Sequence, residues 1–329
     1  MSNITIIGDG GWGTALATIL HSNNHQVTLW GPDAVYLKHV RETRENITFL
    51  PGVTLPGELR WTADEADAVA GANGIVLAIP SRFYAATLER FHPHISSNFH
   101  LISVSKGFDP KTHHRLSALA SEAWGHPSVA ALSGPSHAEE VARGVPTAVT
   151  IASTDSNEAI FWQEAFNTLT FRVYTSDDIK GVEVGGALKN VIALAAGICD
   201  GLGFGDNTKA ALMTRGLAEI TRLGIHMGAN PSTFSGLSGI GDLMVTCMSR
   251  LSRNRGVGER IGKGEKIEAI LGGMKQVAEG VWTAKAAMQL ATEINIDLPI
   301  TAEVHAVLYE GKNPREAVQS LMSRPPRQE

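Results

Sequence analysis

The chain is expected to be an α/β protein, with a doubly wound parallel sheet first and an all-helical region after it. Three observations predict this. Short β-branched or Leu-rich runs alternate with helical patterns through the first half, the order that builds a sheet covered by crossover helices. Those runs lack clean polar alternation, as strands buried on both faces do. Near Thr175 the β signals fade and helical periodicity takes over.

Strands are expected at 4–7, 26–30, 74–79, 100–103, 129–132 and 148–152, with a last one at 171–174. Helix-like segments such as 14–22 and 84–91 lie between them. Beyond the last strand, helices are expected at 179–199, 208–227, 281–294, 301–309 and 314–322. Pro299 and Pro314 stand at helix starts, where a missing N–H matters little. This gives a first domain over 1–178, an all-α domain over 179–323 and a disordered tail, RPPRQE, over 324–329. No internal repeat or low-complexity tract is visible.

Of the 329 residues, 43% are hydrophobic and 19% charged, a globular balance that argues against a disordered or fibrous chain. The net charge of −5 argues against broad binding to nucleic acid or anionic membranes, which needs a basic surface. Cys199 and Cys247 form no C-x-x-C pair, so neither a zinc ribbon nor a disulfide framework is indicated, and both are expected to be buried reduced thiols. The start of the chain has no secretory pattern, and no run approaches the roughly 18 apolar residues of a spanning helix. A soluble, cytoplasmic protein with no stable membrane insertion is expected; a homodimer is compatible with the sequence.

The strongest motif is Gly8-Asp9-Gly10-Gly11-Trp12-Gly13, a G-x-G-x-x-G directly after a strand and opening a helix. Gly8 permits the tight turn, Gly10 lets the backbone approach a pyrophosphate, and Gly13 lets helix and strand pack closely. The helix start then offers N–H donors to phosphates. The first domain is therefore expected to be a Rossmann-type dinucleotide-binding domain, with Trp12 either packing or covering the dinucleotide. The alternative is a glycine-rich turn with no ligand. The second strand ends Trp30-Gly31-Pro32-Asp33, with neither the acid typical of NAD sites nor the arginine typical of NADP sites at its tip. Nothing excludes either cofactor, so both are expected to serve, within about tenfold in kcat/KM.

Lys106 follows an apolar strand and points either into the ligand crevice or into solvent. Ser133-Gly134-Pro135-Ser136-His137-Ala138 ends another strand, as a polyol or phosphate holder or a plain turn. Lys189 lies on an apolar helix beside Gly185, Gly186, Ala193 and Ala196. Packing explains the small residues but not the lysine, because a buried unpartnered ammonium is unfavourable. Such a lysine shifts toward neutral pH and can act as acid or base. Asp242 places a carboxylate in a Gly-rich segment. Arg250, Ser252, Arg253, Asn254 and Arg255 form either a phosphate clamp or an exposed basic helix end. Glu279 is either an N-terminal cap or part of the site. The pairs His92/His94 and His113/His114 have no metal-ligand spacing; they are expected in surface loops, and no metal is expected.

Together these residues resemble the bacterial-type NAD(P)-dependent glycerol-3-phosphate dehydrogenase family. The resembling pieces are GDGGWGTALA (8–17), SKG (105–107), SGPSHA (133–138), GGALKNVIALAAGI (185–198), GDLMVTC (241–247), LSRNR (251–255), VAEG (277–280) and LPIT (298–301). The resemblance spans the chain from Gly8 to about Met322. It implies reversible reduction of dihydroxyacetone phosphate to sn-glycerol 3-phosphate with NAD(H) or NADP(H), feeding phospholipid synthesis. It implies Lys189 as proton donor and acceptor, with Lys106 contacting cofactor and substrate. It implies Gly134, Ser136, Asp242, Ser252, Arg253 and Asn254 at the substrate, and Gly11, Trp12, Ala138, Arg253, Val277 and Glu279 at the cofactor. Three positions depart from the family pattern. Asp9 replaces a small residue, Pro32 stands where Arg or His is frequent, and His137 replaces an aromatic. A hydroxy-acid dehydrogenase of the same plan and a non-catalytic dinucleotide sensor are the rival readings.

Overall fold

The computed structural model describes all residues except Ser97, Lys275, Arg327 and Glu329. The last two belong to the tail expected to be disordered and lie outside the described residues. The first region runs β1 (Asn3–Ile7), α1 (Gly11–Ser22), β2 (Gln26–Trp30), α2 (Ala34–Thr43), β3 (Arg60–Thr62), α3 (Glu65–Val69), β4 (Gly74–Leu77) and α4 (Ser81–Phe91). It continues with β5 (His100–Ser103), α5 (Leu116–Trp124), β6 (Ala130–Ser133), α6 (Ala138–Val141), β7 (Thr147–Ala152), α7 (Ser156–Phe166) and β8 (Phe171–Ser176). The eight strands lie in the order β3-β2-β1-β4-β5-β6-β7-β8. The order reverses between β1 and β4, leaving a crevice at their carboxyl ends.

The sheet departs from the sequence reading in two ways. β3 was not anticipated; its three residues at the sheet edge are too few to show a pattern. β7 runs antiparallel to β6, while β8 is parallel to β7. The chain leaves β6 at the sheet's carboxyl end, and the single turn of α6 packs on α1 instead of crossing back. β7 therefore starts from the end where β6 finished. A buried strand's side-chain pattern carries no information about its direction.

The helical region comprises α8 (Ile179–Gly201), α9 (Asp206–His226), α10 (Asp242–Met248), α11 (Arg253–Gly262), α12 (Ile267–Gly272), α13 (Glu279–Glu293), α14 (Pro299–Tyr309) and α15 (Pro314–Met322). Several helices start a few residues before their periodic pattern does, because Gly, Ser, Asp or Pro fill the first turn. α8 is the axis of this region, with every residue from Gly181 to Cys199 buried. By length and mean hydropathy it would pass for a membrane span, contrary to the expectation that no segment comes near one; here it is wrapped by α9, α10, α11 and α13. Gly197 and Gly201 face α11, so the two backbones nearly touch.

That approach is testable. A β-carbon at Gly258 on α11 would lie 2.0 Å from the Leu194 carbonyl oxygen, whereas one at Gly256, two residues earlier, would meet nothing within 4 Å. Gly258→Ala should therefore destabilise the protein by about 1–3 kcal/mol through overpacking. Gly256→Ala should stabilise it by roughly 0.5–1 kcal/mol by favouring the helix. Chemical denaturation of the two variants, which share one helix and one substitution, measures the difference.

Candidate active site

The fingerprint loop joins β1 to α1. Gly8 has φ +125°, and a β-carbon there would lie 2.3 Å from the Ala78 carbonyl oxygen at the end of β4. A β-carbon at Gly13 would lie 2.3 Å from the Gly8 carbonyl, so α1 starts as close to β1 as backbones allow. Gly10, by contrast, has nothing within 4 Å of where its β-carbon would be. Its open face and the uncapped first turn of α1 leave N–H donors for a pyrophosphate. A dinucleotide fits these residues.

A loop the sequence reading passed over fixes this one. Asn46 is fully buried and donates through Nδ2 to the Asp9 carbonyl (2.8 Å) and Thr14 Oγ1 (2.8 Å). Its Oδ1 accepts from the Tyr36 hydroxyl at 2.6 Å. Gly11 lies under the Phe49 carbonyl and beside Ala138, the first residue of α6, which brings two predicted cofactor residues together. Trp12 is half-buried next to Phe171, with its indole N–H unpartnered.

Glu279 is neither a cap for its own helix nor free. Its carboxylate accepts from Ser81 N (3.1 Å) and Ser81 Oγ (2.5 Å), so it satisfies the first turn of α4 in the other region. Burial pushes its pKa up, against the hydrogen bonds from Ser81 and the charge of Arg253. The neighbouring Val277 is half-buried just before α13, and Gln276 reaches the Thr48 carbonyl at 3.3 Å. The segment before α13 thus closes over the dinucleotide crevice.

Asp242 organises the centre. A π-helical turn over Leu237–Gly241 delivers it to the first position of α10, fully buried. One oxygen, Oδ2, accepts from Lys106 Nζ (2.7 Å), Ser133 Oγ (3.1 Å) and Gly134 N (3.3 Å). The other, Oδ1, accepts from Lys189 Nζ. Lys189, 6% exposed, also donates to Thr246 Oγ1 at 2.8 Å, and that hydroxyl donates to the Asp242 carbonyl at 2.6 Å. Lys106 donates to the Gly134 carbonyl (3.2 Å), which also accepts from Ser136 Oγ (3.0 Å). Gly186 on α8 admits Ser133: a β-carbon there would lie 2.6 Å from its hydroxyl oxygen.

Two lysines around one carboxylate leave a net positive charge when all three are ionised, which suits an anionic ligand. Burial lowers the Lys189 pKa to about 7; Asp242 pulls it back up and Lys106 pushes it further down. Burial alone would raise the Asp242 pKa, but the two lysines outweigh it and hold the carboxyl below its ordinary value. An ammonium that titrates near neutrality can both give and take a proton.

The basic cluster separates into two parts. Ser252 caps α11, its Oγ accepting from Arg255 N at 3.2 Å, and its hydroxyl has no acceptor among the described residues. Arg253 occupies the first turn; the residue is exposed, yet the surrounding protein lowers its pKa, partly offset by the charges of Glu279 and Glu139. Asn254 is buried; its Nδ2 donates to Asn190 Oδ1 (2.9 Å) and its Oδ1 accepts from Gly280 N (2.9 Å), leaving one N–H for a ligand. Arg255 turns away and pairs with Asp200 at 2.6 Å. Arg250 is exposed beyond α10.

His113 is less of a surface residue than expected, because its ring bonds Gln289 (2.9 Å) and Glu293 (3.2 Å) on α13. Both cysteines are buried and free, and burial pushes their thiols up, to about 11 for Cys199 and about 12 for Cys247. Among the described residues no group of three or more His, Cys, Asp or Glu side chains could hold a metal. Thr246, Ser81, Asn190 and Asn46 were not singled out from the sequence. Asn190 had the clearest signal, a buried amide directly after the buried lysine.

A dinucleotide loop facing a buried lysine across the seam with a helical domain defines the class: an NAD(P)-dependent oxidoreductase of the two-domain type. The family model for the NAD-dependent glycerol-3-phosphate dehydrogenase N-terminus matches residues 3–159, and that for its C-terminus matches 178–319. The chain is 49% identical to "Glycerol-3-phosphate dehydrogenase [NAD(P)+]" of Geobacillus thermodenitrificans (strain NG80-2), over 100% of this chain and 97% of that protein. It is 50% identical to the protein of the same name from Moorella thermoacetica, over 98% and 96%. The crystal structure of glycerol-3-phosphate dehydrogenase from Coxiella burnetii superposes with a TM-score of 0.95 at 36% identity, covering 98% of this chain and 99% of that one. This chain belongs to the NAD-dependent glycerol-3-phosphate dehydrogenase family.

The lysine's titration is directly measurable. Competitive amine labelling across pH should find Lys189 half-reactive near pH 7, far below an ordinary lysine. Asp242 raises the Lys189 pKa, so Asp242→Asn should move that midpoint to lower pH.

Proposed function

We infer that this chain is an NAD(P)-dependent oxidoreductase that reduces dihydroxyacetone phosphate to sn-glycerol 3-phosphate and catalyses the reverse reaction. The observation that carries the reading is the Lys106–Asp242–Lys189 cluster, set between the fingerprint loop and the start of α11. The bound nicotinamide supplies hydride chemistry at the substrate's second carbon. The chain's own residues do the rest.

Lys189 in its ammonium form donates a proton to the ketone oxygen, and in its neutral form takes one back in the oxidation direction. Lys106 stabilises the negative charge that develops on that oxygen. Asp242 and Thr246 hold the Lys189 ammonium, and the Gly134 carbonyl and Asp242 hold that of Lys106, so both are aimed before substrate arrives. The N–H groups at the start of α11, with Arg253, the Ser252 hydroxyl and the remaining Asn254 N–H, take the substrate phosphate. Phosphate anchoring then fixes the carbonyl relative to Lys189. Gly134 and Ser136 line the substrate's polyol side. Gly8, Gly10, Gly11, Trp12, Gly13, Ala138, Val277 and Glu279 border the dinucleotide. We further propose that the two functional units divide at 178/179, that the product feeds glycerophospholipid synthesis, and that the protein works in the cytoplasm. Support for the location comes from the bacterial relatives and from the burial of α8.

Nicotinamide absorbance with dihydroxyacetone phosphate tests the activity; binding without turnover would refute it. Lys189→Met should cut kcat by roughly 10²–10⁴ with little change in cofactor Kd. Reduction by the wild type should slow as pH rises through the Lys189 pKa, because the ammonium is the donor; the oxidation direction should slow as pH falls through it. Arg253→Ala should raise KM far more for dihydroxyacetone phosphate than for dihydroxyacetone, since a charge-assisted contact is worth about 1.5–3 kcal/mol. Equal losses for both ketones would show that Arg253 does not read the phosphate.

A further inference from the structure

The carboxyl end of β2, where the adenosine ribose of a dinucleotide lies in this fold, is acidic in a way its own residues do not announce. Asp9, from the fingerprint loop, lies flat on Gly31: a β-carbon at Gly31 would sit 2.5 Å from Asp9 Oδ2 and 2.8 Å from Asp9 Cβ. Only glycine at 31 leaves room for this carboxylate. The Asp9 backbone is pinned by Asn46 through the 2.8 Å bond to its carbonyl, so the side chain has a fixed origin.

The charge that acts on Asp9 is another negative one. Burial raises its pKa, a backbone hydrogen bond offsets part of the rise, and the Asp33 carboxylate adds to it. Asp33 itself caps α2, its Oδ1 accepting from Val35 N and Tyr36 N at 3.0 Å each. The helix N-terminus that would otherwise attract an anion at this corner is therefore already satisfied. Pro32, between the two, offers no N–H. Of the nearby cations, Lys38 pairs with Glu42 along α2, Arg44 turns to the Leu55 carbonyl at 2.9 Å, Arg90 lies over the Trp30 ring and pairs with Glu65, and Arg41 stands exposed in the last turn of α2.

We propose that Asp9 sets cofactor choice in this chain: with Asp33 it makes the ribose corner accept the hydroxyls of NADH and repel the 2′-phosphate of NADPH. This sharpens the expectation that both cofactors serve within about tenfold, which weighed Pro32 and Asp33 without setting Asp9 against Gly31. The proposal rests on the dinucleotide reading of the loop and not on the identity of the second substrate.

Equilibrium binding to the full chain tests it without turnover. NADH and NADPH are titrated by nicotinamide fluorescence, and 5′-ADP and 2′,5′-ADP by calorimetry. The wild type should bind NADH at least about tenfold more tightly than NADPH, with 5′-ADP favoured over 2′,5′-ADP in the same sense. Asp9→Asn keeps the packing on Gly31 and removes the charge; it should shrink both ratios by about tenfold or more, mainly by tightening the phosphorylated ligand. Asp9→Ser, which is smaller, should act in the same direction. A wild-type ratio under tenfold overturns the proposal, and so do variants in which both members of a pair weaken by the same factor. If the wild type binds none of the four ligands, the dinucleotide site falls and the proposal with it.

Discussion

The structure depends on one buried carboxylate serving two lysines. Asp242 receives Lys106, Ser133 and Gly134 from the ends of β5 and β6, and Lys189 from α8, so the sheet and the helical region meet on its two oxygens. Removing one partner of a buried ion pair typically costs 3–5 kcal/mol because a charge is left alone. The joint that aligns the chemistry is thus also a joint between domains, and misalignment of one is loss of the other. The packing around it follows from that demand. Gly185 and Gly186 exist to let the π-helical turn and β6 reach α8, and a side chain at either would push the cluster apart.

The fold and the outline of the site were legible because both rest on local rules. A G-x-G-x-x-G between strand and helix constrains backbone geometry within six residues, and the open space at Gly10 beside the crowding at Gly8 and Gly13 matches that constraint. Lys189 stood out because an ammonium on an apolar helix needs a partner. What was hidden is non-local. The partner lies 53 residues away on another helix, and its second lysine 136 residues away on a strand end. Glu279 looked like a cap for α13, and it does satisfy a helix start, but the one belonging to α4. Asn46 sits in a loop with no motif at all, and only the folded chain shows that it carries the Asp9 carbonyl. Strand direction at β7 was unreadable for a similar reason, since a buried strand looks alike both ways.

The same distinction separates the arginines. Three within six residues look equivalent as a string, but α11 turns them apart: Arg253 into the field of Glu279 and Glu139, Arg255 toward Asp200 at the far end of α8, and Arg250 outside the helix. A helix assigns its faces by angle, so residues two apart cannot share a task. Arg255 helps fasten α11 where the glycines bring it against α8, and that contact in turn holds the α11 start, with Arg253, over the site.

The burial of α8 has a consequence for the chain as it is made. Its apolar residues are finished by Gly201, but of the helices that cover it only α9 follows at once; α11 ends at Gly262 and α13 at Glu293. At synthesis rates of roughly 5–20 residues per second, a segment with the character of a membrane span stands uncovered outside the ribosome for several seconds. During that interval it presents exposed apolar surface of the kind that makes a folding chain prone to aggregate. Its midpoint lysine, Lys189, and Glu183 near its start are then unpaired charges in an otherwise apolar stretch, and charges at that depth of a membrane span are unfavourable.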